Sequence, residues 1–168
     1  MNIDYYINFI KERHGSQTRK QGTPYYLHPV SVCECLAKKG FANNYLIAGL
    51  FHDLLEDTKT TYEEILNISN YEVAEAVRLV TKEEGYNMRE YIERIKQNDI
   101  AKMVKLADRW HNLSESIVAS SSFQKKYIKE TEDWYIDLAK GTIFEEDINK
   151  ALDILKKYYY DHAETHVV

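Results

Sequence analysis

The densest group of chemically active side chains in this sequence is the segment Phe51–Thr58, which reads FHDLLEDT. It combines an imidazole with three carboxylates, the side-chain types that bind divalent metals and move protons. Apolar residues recur around them at three and four positions, which predicts one face of a helix. We therefore expect His52 and Asp53 to bind a divalent metal, while Glu56 and Asp57, one helical turn later, handle water beside it. The alternative is that these last two acids are exposed charges where the helix ends.

His28 and Asp108 are further candidates for metal ligands. His28 precedes Pro29, a residue that suits the first turn of a helix, so His28 lies at a predicted helix entrance. A lone histidine there is more often a cap or a surface residue than a ligand. Asp108 lies on the margin of an apolar stripe, and its alternative role is a surface salt bridge to Arg109 or Lys105, which would contribute little stability.

The composition narrows the classes of function. The chain has 168 residues and a formal net charge of −5, which argues against a broad nucleic-acid-binding surface. Its length favours one domain covering residues 1–168. No apolar run approaches the ~20 residues that span a bilayer, and no secretory signal is evident, so we expect no membrane partner. Cys33 and Cys35 are unlikely partners for each other on a helix, and a reducing cytoplasmic setting fits them best. The oligomeric state cannot be read from the sequence.

The elements that must position these groups all read as helices. A helical stripe covers about Ile3 to His14, and the central helix is predicted from about Asn43 to Asp57. The segment Gly15–Pro24 between them is a long loop that carries Arg19 and Lys20. Further predictions are a capping box at Thr61 and Glu64, an N-cap at Asn87, one helix through Tyr127, Thr131, Trp134 and Leu138, and a frayed tail from Asp161 to Val168. With no convincing strand, the predicted fold class is all-α.

The order His28, His52-Asp53, Asp108 resembles that of the HD-domain metal-dependent phosphohydrolases. The resemblance narrows to the hydrolase domain of the RelA/SpoT alarmone enzymes. It is carried by the motifs HGSQTRKQGTPYYLHP (14–29), FHDLLEDT (51–58), VTK (80–82), KLADRWHNL (105–113) and KET (129–131). These matches span about Ile3 to Leu138. The chain is shorter than the long enzymes with synthetase and regulatory domains, so it resembles a stand-alone small alarmone hydrolase.

The resemblance implies an all-α HD-domain helical bundle with a central metal site, and Mn²⁺ as the metal, although another divalent ion would also suit these donors. It implies that His28, His52, Asp53 and Asp108 are the ligands. The implied substrate is a small nucleotide, guanosine tetraphosphate or pentaphosphate, from which the 3′-diphosphate is removed to give GDP or GTP and pyrophosphate. The catalytic pair would then be Glu56 and Asp57.

The resemblance also implies roles in substrate binding. Arg19 and Lys20 would pack around the guanine base, and Asn112 would contact the ribose. Lys82 and Arg109 would be candidates for phosphate contacts.

Two other functions remain open. Trp110 stands where the family usually has leucine, and the region after Leu113 diverges, which puts the nucleoside and phosphate preference in question. One alternative is an HD phosphohydrolase that acts on another phosphorylated nucleotide, such as an adenosine alarmone or a phosphorylated dinucleotide cofactor. The other is a non-catalytic module that senses nucleotides.

Overall fold

The computed structural model describes residues 2–163 of the chain. The chain divides into two compact units, with the division between Lys105 and Leu106. Each unit is helical, and across the described residues the β-structure is limited to an isolated antiparallel bridge between Thr18 and Pro24. The predicted all-α class is therefore confirmed, while the single domain over residues 1–168 stays a prediction.

The first unit is built from helices that are joined by turns and by longer loops. They are α1 (Ile3–His14), α2 (Leu27–Lys38), α3 (Asn43–Phe51), α4 (Leu54–Asp57), α5 (Tyr62–Ile68), α6 (Tyr71–Val80), α7 (Met88–Lys96) and the beginning of α8 (Asp99–Glu115). Their apolar faces bury a core that includes Val32, Leu36, Leu50, Phe51 and Leu54. This core is expected because each helix carries apolar residues at the spacing of one face.

Helices α2 and α3 pack together at very close range. The contact depends on Gly49, where a Cβ atom would lie 2.8 Å from Cδ1 of Leu36 and 3.6 Å from Cα of Cys33. A residue with a side chain at position 49 would require the Leu36 side chain to shift. The sequence thus uses a glycine inside a helix, at some cost in helix propensity, to bring α2 and α3 together.

The central helix predicted from Asn43 to Asp57 is interrupted, and this prediction of one continuous helix was wrong. Helix α3 ends at Phe51, and the one-turn helix α4 begins at Leu54. At the interruption, Nδ1 of His52 lies 2.8 Å from the carbonyl oxygen of Gly49. In an uninterrupted helix that oxygen accepts from the N–H of residue 53, so the imidazole competes with the backbone for it.

The predicted helix caps are present. Thr61 and Glu64 form the capping box at the start of α5, each side chain bonding the other's backbone N–H. Asn87 caps α7 by accepting from the backbone N–H of Glu90 at 3.2 Å. These bonds confirm the boundaries that short polar motifs predicted.

The second unit contains the rest of α8, a 3₁₀ turn (Ser116–Val118), α9 (Ser121–Glu130), α10 (Ile136–Ala139) and α11 (Glu145–Ala163). Between α9 and α10 the chain forms a π-helix at Thr131–Tyr135, so the single helix predicted there was wrong in detail. Helix α11 continues through Asp161 to Ala163, which contradicts fraying of that part of the predicted tail. Residues 164–168 of the tail lie outside the described residues.

Across the described residues, the structure has no helix with both the length and the apolar character needed to cross a membrane.

Candidate metal centre and acid–base site

Two buried histidines, His28 and His52, face each other in the first unit. His28 follows the first residue of α2, and Pro29 beside it occupies the helix's first turn, as predicted. His52 lies at the end of α3, and the two imidazole centroids are 5.1 Å apart. Each histidine is at most 3% exposed, so the pair is held inside the unit rather than displayed on its surface.

The hydrogen bond of His52 fixes the chemistry of its ring. A carbonyl oxygen can only accept, so the contact with Gly49 requires a proton on Nδ1 of His52. In the neutral ring the lone pair then resides on Nε2, the form that coordinates a metal. In this form, Nε2 of His52 can donate its lone pair to a divalent cation.

Asp53 lies against both imidazoles. Its Oδ1 is 3.1 Å from Nε2 of His52, and its Oδ2 is 3.7 Å from Nε2 of His28. A carboxylate together with two imidazole nitrogens forms the mixed N/O set that suits Mn²⁺, Fe²⁺ or Zn²⁺. The predicted grouping of these three residues is thus present in the structure.

A tyrosine links Asp53 to the candidate base Asp57. The hydroxyl of Tyr25 lies 2.7 Å from Oδ2 of Asp57 and 3.1 Å from Oδ2 of Asp53. Burial, and then the charges of Asp53 and Asp57, raise the pKa of the Tyr25 phenol, so it remains a proton donor. Partial burial also raises the pKa of Asp57 above its ordinary value; the Tyr25 hydrogen bond opposes this rise, and the nearby Asp53 adds to it.

Glu56 and Asp57 line an open pocket of about 720 Å³ on the surface of the first unit. Glu56 accepts a hydrogen bond at Oε2 from the backbone N–H of Lys82, 3.0 Å away. The pocket is also lined by Arg13 and Lys59. Both acids are exposed and lie at the end of α4, as the alternative interpretation expected, and both also line this pocket, so their catalytic role stays a prediction.

Sequence reasoning assigned no role to Tyr25, Gln17 or His14, although all three lie in the first motif. Gln17 Nε2 donates to the backbone oxygen of Asp57 at 2.7 Å, and Gln17 Oε1 lies 2.8 Å from Nδ1 of His14. The ring of His14 stacks on that of Tyr25 with 4.9 Å between centroids. These contacts join α1, the following loop and α4, and no local spacing could reveal them.

In the second unit, Asp108 is buried on α8, and its Oδ1 accepts a hydrogen bond from Nδ2 of Asn112 at 2.5 Å. The two side chains share one side of the helix, as their four-residue spacing predicted. Asp108 is thus a buried carboxylate, and its part as a ligand with His28 and His52 stays a prediction.

Arg109, the neighbour of Asp108, has an enclosed environment. Its guanidinium pairs with Glu130 and lies over the rings of Tyr127 and Tyr135, 4.0 and 3.7 Å from their centroids. Burial alone would lower the pKa of Arg109, but the two tyrosines and Glu130 raise it above its ordinary value. The structure therefore gives this residue a role within the second unit, and its contact with a phosphate stays a prediction.

The predicted base-binding pair lies on an ordered turn. The backbone N–H of Arg19 donates to the oxygen of Thr23, and the N–H of Gly22 donates to the oxygen of Arg19. Gly22 takes a φ of 84°, which favours glycine. Arg19 and Lys20 are therefore presented at the tip of a folded loop, although their contact with a nucleobase is untested.

Comparison with known proteins finds one matching family model and relatives that carry similar names. The HD-domain family model matches residues 7–142. The guanosine-3′,5′-bis(diphosphate) 3′-pyrophosphohydrolase of Aquifex aeolicus is 38% identical over 160 residues, which cover 90% of this chain and 23% of that protein. The bifunctional (p)ppGpp synthase/hydrolase SpoT of Escherichia coli is 32% identical over 77% of this chain and 20% of its own length. The chain thus spans about a fifth of these bacterial relatives.

A relative of similar length is the zebrafish (Danio rerio) guanosine-3′,5′-bis(diphosphate) 3′-pyrophosphohydrolase MESH1. It is 32% identical over 145 residues, which cover 80% of this chain and 81% of that protein. A solved structure described as a metazoan ortholog of SpoT that hydrolyses ppGpp superposes with a TM-score of 0.77, covering 90% of this chain and 93% of that one. At 24% sequence identity this second likeness shows the fold alone.

Proposed function

Because this chain belongs to the HD-domain family, we propose that it is a manganese-dependent hydrolase of guanosine tetraphosphate and pentaphosphate. The reaction removes the 3′-diphosphate and yields GDP or GTP with pyrophosphate. The observation that carries the proposal is the placement of Asp53 against both buried imidazoles while Tyr25 joins it to Asp57. The names of the bacterial and zebrafish relatives support the choice of substrate.

The proposed metal ligands are His28, His52, Asp53 and Asp108. A bound divalent ion would lower the pKa of a water molecule and polarise a phosphoryl oxygen. The protein's own part is to supply two imidazoles, with the Nδ1 bond of His52 directing its Nε2 toward the site, and carboxylates held by neighbours. Mn²⁺ is our specific proposal because the donor set mixes nitrogen and oxygen.

The proposed catalytic pair is Glu56 and Asp57. A water oxygen attacks the phosphorus bonded to the ribose 3′-oxygen, one of the two carboxylates accepts the proton from that water, and the P–O3′ bond breaks. The 3′-oxygen takes up a proton from solvent and becomes a hydroxyl, pyrophosphate leaves, and the carboxylate returns its proton to solvent. The raised pKa of Asp57 makes this carboxylate a better proton acceptor than an ordinary aspartate.

Substrate recognition is proposed to involve Arg19 and Lys20 at the nucleobase and Asn112 at the ribose. Lys82 and Arg109 are the proposed phosphate contacts, and Lys82 has the closer structural support because its backbone N–H binds Glu56. Arg19→Ala should raise KM by about one to two orders of magnitude, as expected for the loss of base stacking. The maximal rate should change much less, since the contact is present in the ground and transition states alike. A large loss of kcat at unchanged KM would assign Arg19 to the reacting phosphate instead.

The direct experiment is hydrolysis of guanosine tetraphosphate with and without Mn²⁺, with the products separated by ion-exchange chromatography. We expect GDP and pyrophosphate only when the metal is present. Release of a single phosphate, or turnover only of another phosphorylated nucleotide, would favour the alternative phosphohydrolase. Binding without turnover in Mn²⁺ would favour a nucleotide-sensing module.

A matched pair of substitutions on α8 tests the metal site. Asp108→Ala should lose both bound manganese and activity. Asp99→Ala, which removes an exposed carboxylate from the same helix, should retain both. Wild-type manganese content in Asp108→Ala, measured by elemental mass spectrometry, would contradict the ligand assignment.

We also propose a reducing, cytoplasmic setting for this reaction. Its support is that Cys33 and Cys35 are both buried as free thiols.

A further inference from the structure

The position of Asp57 is not secured by its own helix. Helix α4 is four residues long, and the residue after it, Thr58, is extended. A single helical turn has little stability of its own, because nucleation fixes several residues for one hydrogen bond. A carboxylate at the last residue of such a turn needs contacts from elsewhere to keep one orientation.

Those contacts come from the first motif, and they hold Asp57 at two points. The hydroxyl of Tyr25 reaches its side chain at 2.7 Å, and Nε2 of Gln17 donates to its backbone oxygen at 2.7 Å. His14, which is 2% exposed, approaches Gln17 through Nδ1 and stacks on the ring of Tyr25. The two points of attachment therefore share one buried support.

The hydroxyl of Tyr25 also lies 3.1 Å from Asp53, on the side of the two imidazoles. A phenol has one proton to donate, and the shorter of its two contacts is to Asp57. The same oxygen atom thus sets the spacing between the carboxylate beside the histidines and the carboxylate that faces the pocket. Two carboxylates this close would otherwise repel each other.

We propose that Tyr25 is a positioning residue, whose hydroxyl holds the Asp57 carboxylate in the orientation that takes a proton from the attacking water. This inference rests on the proposed function, because it assigns the work of Tyr25 to the base of that reaction. Tyr25 itself exchanges no proton with the substrate. Its contribution is to limit Asp57 to one orientation at a fixed distance from Asp53.

The first test compares Tyr25→Phe with Tyr26→Phe, which removes a hydroxyl from the neighbouring residue. A hydrogen bond to a charged group typically contributes ~1.5–3 kcal/mol, so kcat of Tyr25→Phe should fall by about 10- to 100-fold. KM and manganese content should stay within about twofold of wild type, and Tyr26→Phe should match wild type. A rise in KM with kcat unchanged, or a loss of manganese, would overturn the positioning role.

The second test asks whether Tyr25 acts through Asp57. In an Asp57→Asn background, adding Tyr25→Phe should lower the residual kcat by less than about threefold, since groups that act as a unit are not additive. An equal loss of kcat in the two backgrounds would show that Tyr25 acts by another route and would overturn the proposal.

The third test does not depend on activity. Crystal structures of wild type and Tyr25→Phe, each grown with Mn²⁺, should show the Asp57 carboxylate displaced or in more than one conformer in the variant only. An Asp57 carboxylate in one unchanged position would overturn the proposal. If the wild-type protein fails to hydrolyse guanosine tetraphosphate, the proposed function fails, while this comparison still decides whether Tyr25 positions Asp57.

Discussion

Each compact unit has a charged group in contact with tyrosine, but different parts of the tyrosine side chain make the contact. In the first unit the hydroxyl of Tyr25 binds the carboxylates of Asp53 and Asp57. In the second unit the ring faces of Tyr127 and Tyr135 cover the guanidinium of Arg109. A phenol hydroxyl is a directional donor, whereas a ring face attracts a cation over a broad area.

The charged side chain of the first unit, Asp57, can be reached from solvent, whereas that of the second unit, Arg109, is enclosed by its neighbours. Asp57 lines a pocket, so its contact with Tyr25 leaves it able to meet a substrate. Arg109 is 2% exposed and has Glu130 as its ion-pair partner. Both residues lie in motifs that predicted chemistry, so a motif alone does not tell which charges are exposed and which are buried.

The largest expected effect is the loss of kcat when the exposed charge of Asp57 is removed. Asp57→Asn should lower kcat by roughly 10²–10⁴, because it removes a proton acceptor while preserving shape. Its urea midpoint and manganese content should match wild type. Glu63→Gln, which neutralises an exposed acid on α5, is the control and should keep full activity. A near wild-type rate in Asp57→Asn would make this carboxylate structural only.

The next largest expected effect is the loss of stability when the buried charge of Arg109 is removed. Arg109→Met should lower the free energy of unfolding by about 3 kcal/mol, the lower end of the range for breaking a buried ion pair, since Glu130 is 20% exposed and can be partly hydrated. Urea unfolding measures this loss. Adding Glu130→Leu to Arg109→Met should restore part of the stability, because no unpaired charge then remains. No recovery in that double variant would show that Glu130 is not the important partner.

A smaller effect on stability should distinguish the contribution of the Tyr127 ring from that of its hydroxyl. Tyr127→Phe keeps the aromatic face over Arg109 and should cost less than about 0.5 kcal/mol. Tyr127→Leu removes that face and should cost about 1–2 kcal/mol more than the phenylalanine variant, as expected for a desolvated cation–π contact. If the two variants were equally stable, the ring would act only as apolar filling. The comparison with Tyr25→Phe, where the hydroxyl matters, would then lose its basis.

The smallest effect belongs to a charge pair in solvent. Arg78 and Glu75 form an ion pair on α6, with the arginine side chain 47% exposed. Arg78→Met should change the free energy of unfolding by less than about 1 kcal/mol, because water already stabilises both ions. High salt should reduce even that difference in urea unfolding. A cost near that of Arg109→Met would mean that burial does not separate these two pairs.

The sequence predicted helices well where a local rule decides the structure. The capping box at Thr61 and the cap at Asn87 follow from hydrogen bonds within one turn, and both are present. The break after Phe51 was missed because it involves a side chain bonding to the backbone at Gly49. The π-helix at Thr131–Tyr135 was missed because hydrophobic spacing alone does not distinguish it from an α-helix.

In the candidate site, too, local patterns predicted some residues but missed contacts between segments that are distant in the sequence. His28, His52 and Asp53 were predicted from their types and order, and the structure brings these three together. Tyr25 and Gln17 were passed over because their partner, Asp57, is 32 and 40 residues away. Such pairs depend on how α1, α2 and α4 pack, and packing is not encoded in any short segment.

The glycine at the contact of α2 and α3 has a consequence for engineering the distance between His28 and His52. Helix α2 carries His28 near its start, and α3 ends beside His52, so the gap between the helices sets the gap between the imidazoles. Gly49 leaves room for Leu36 in that gap, since a Cβ at position 49 would meet Cδ1 of Leu36 at 2.8 Å. A side chain at position 49 would displace Leu36 between the two helices, so this position acts on the spacing of the imidazoles while both histidines stay chemically intact.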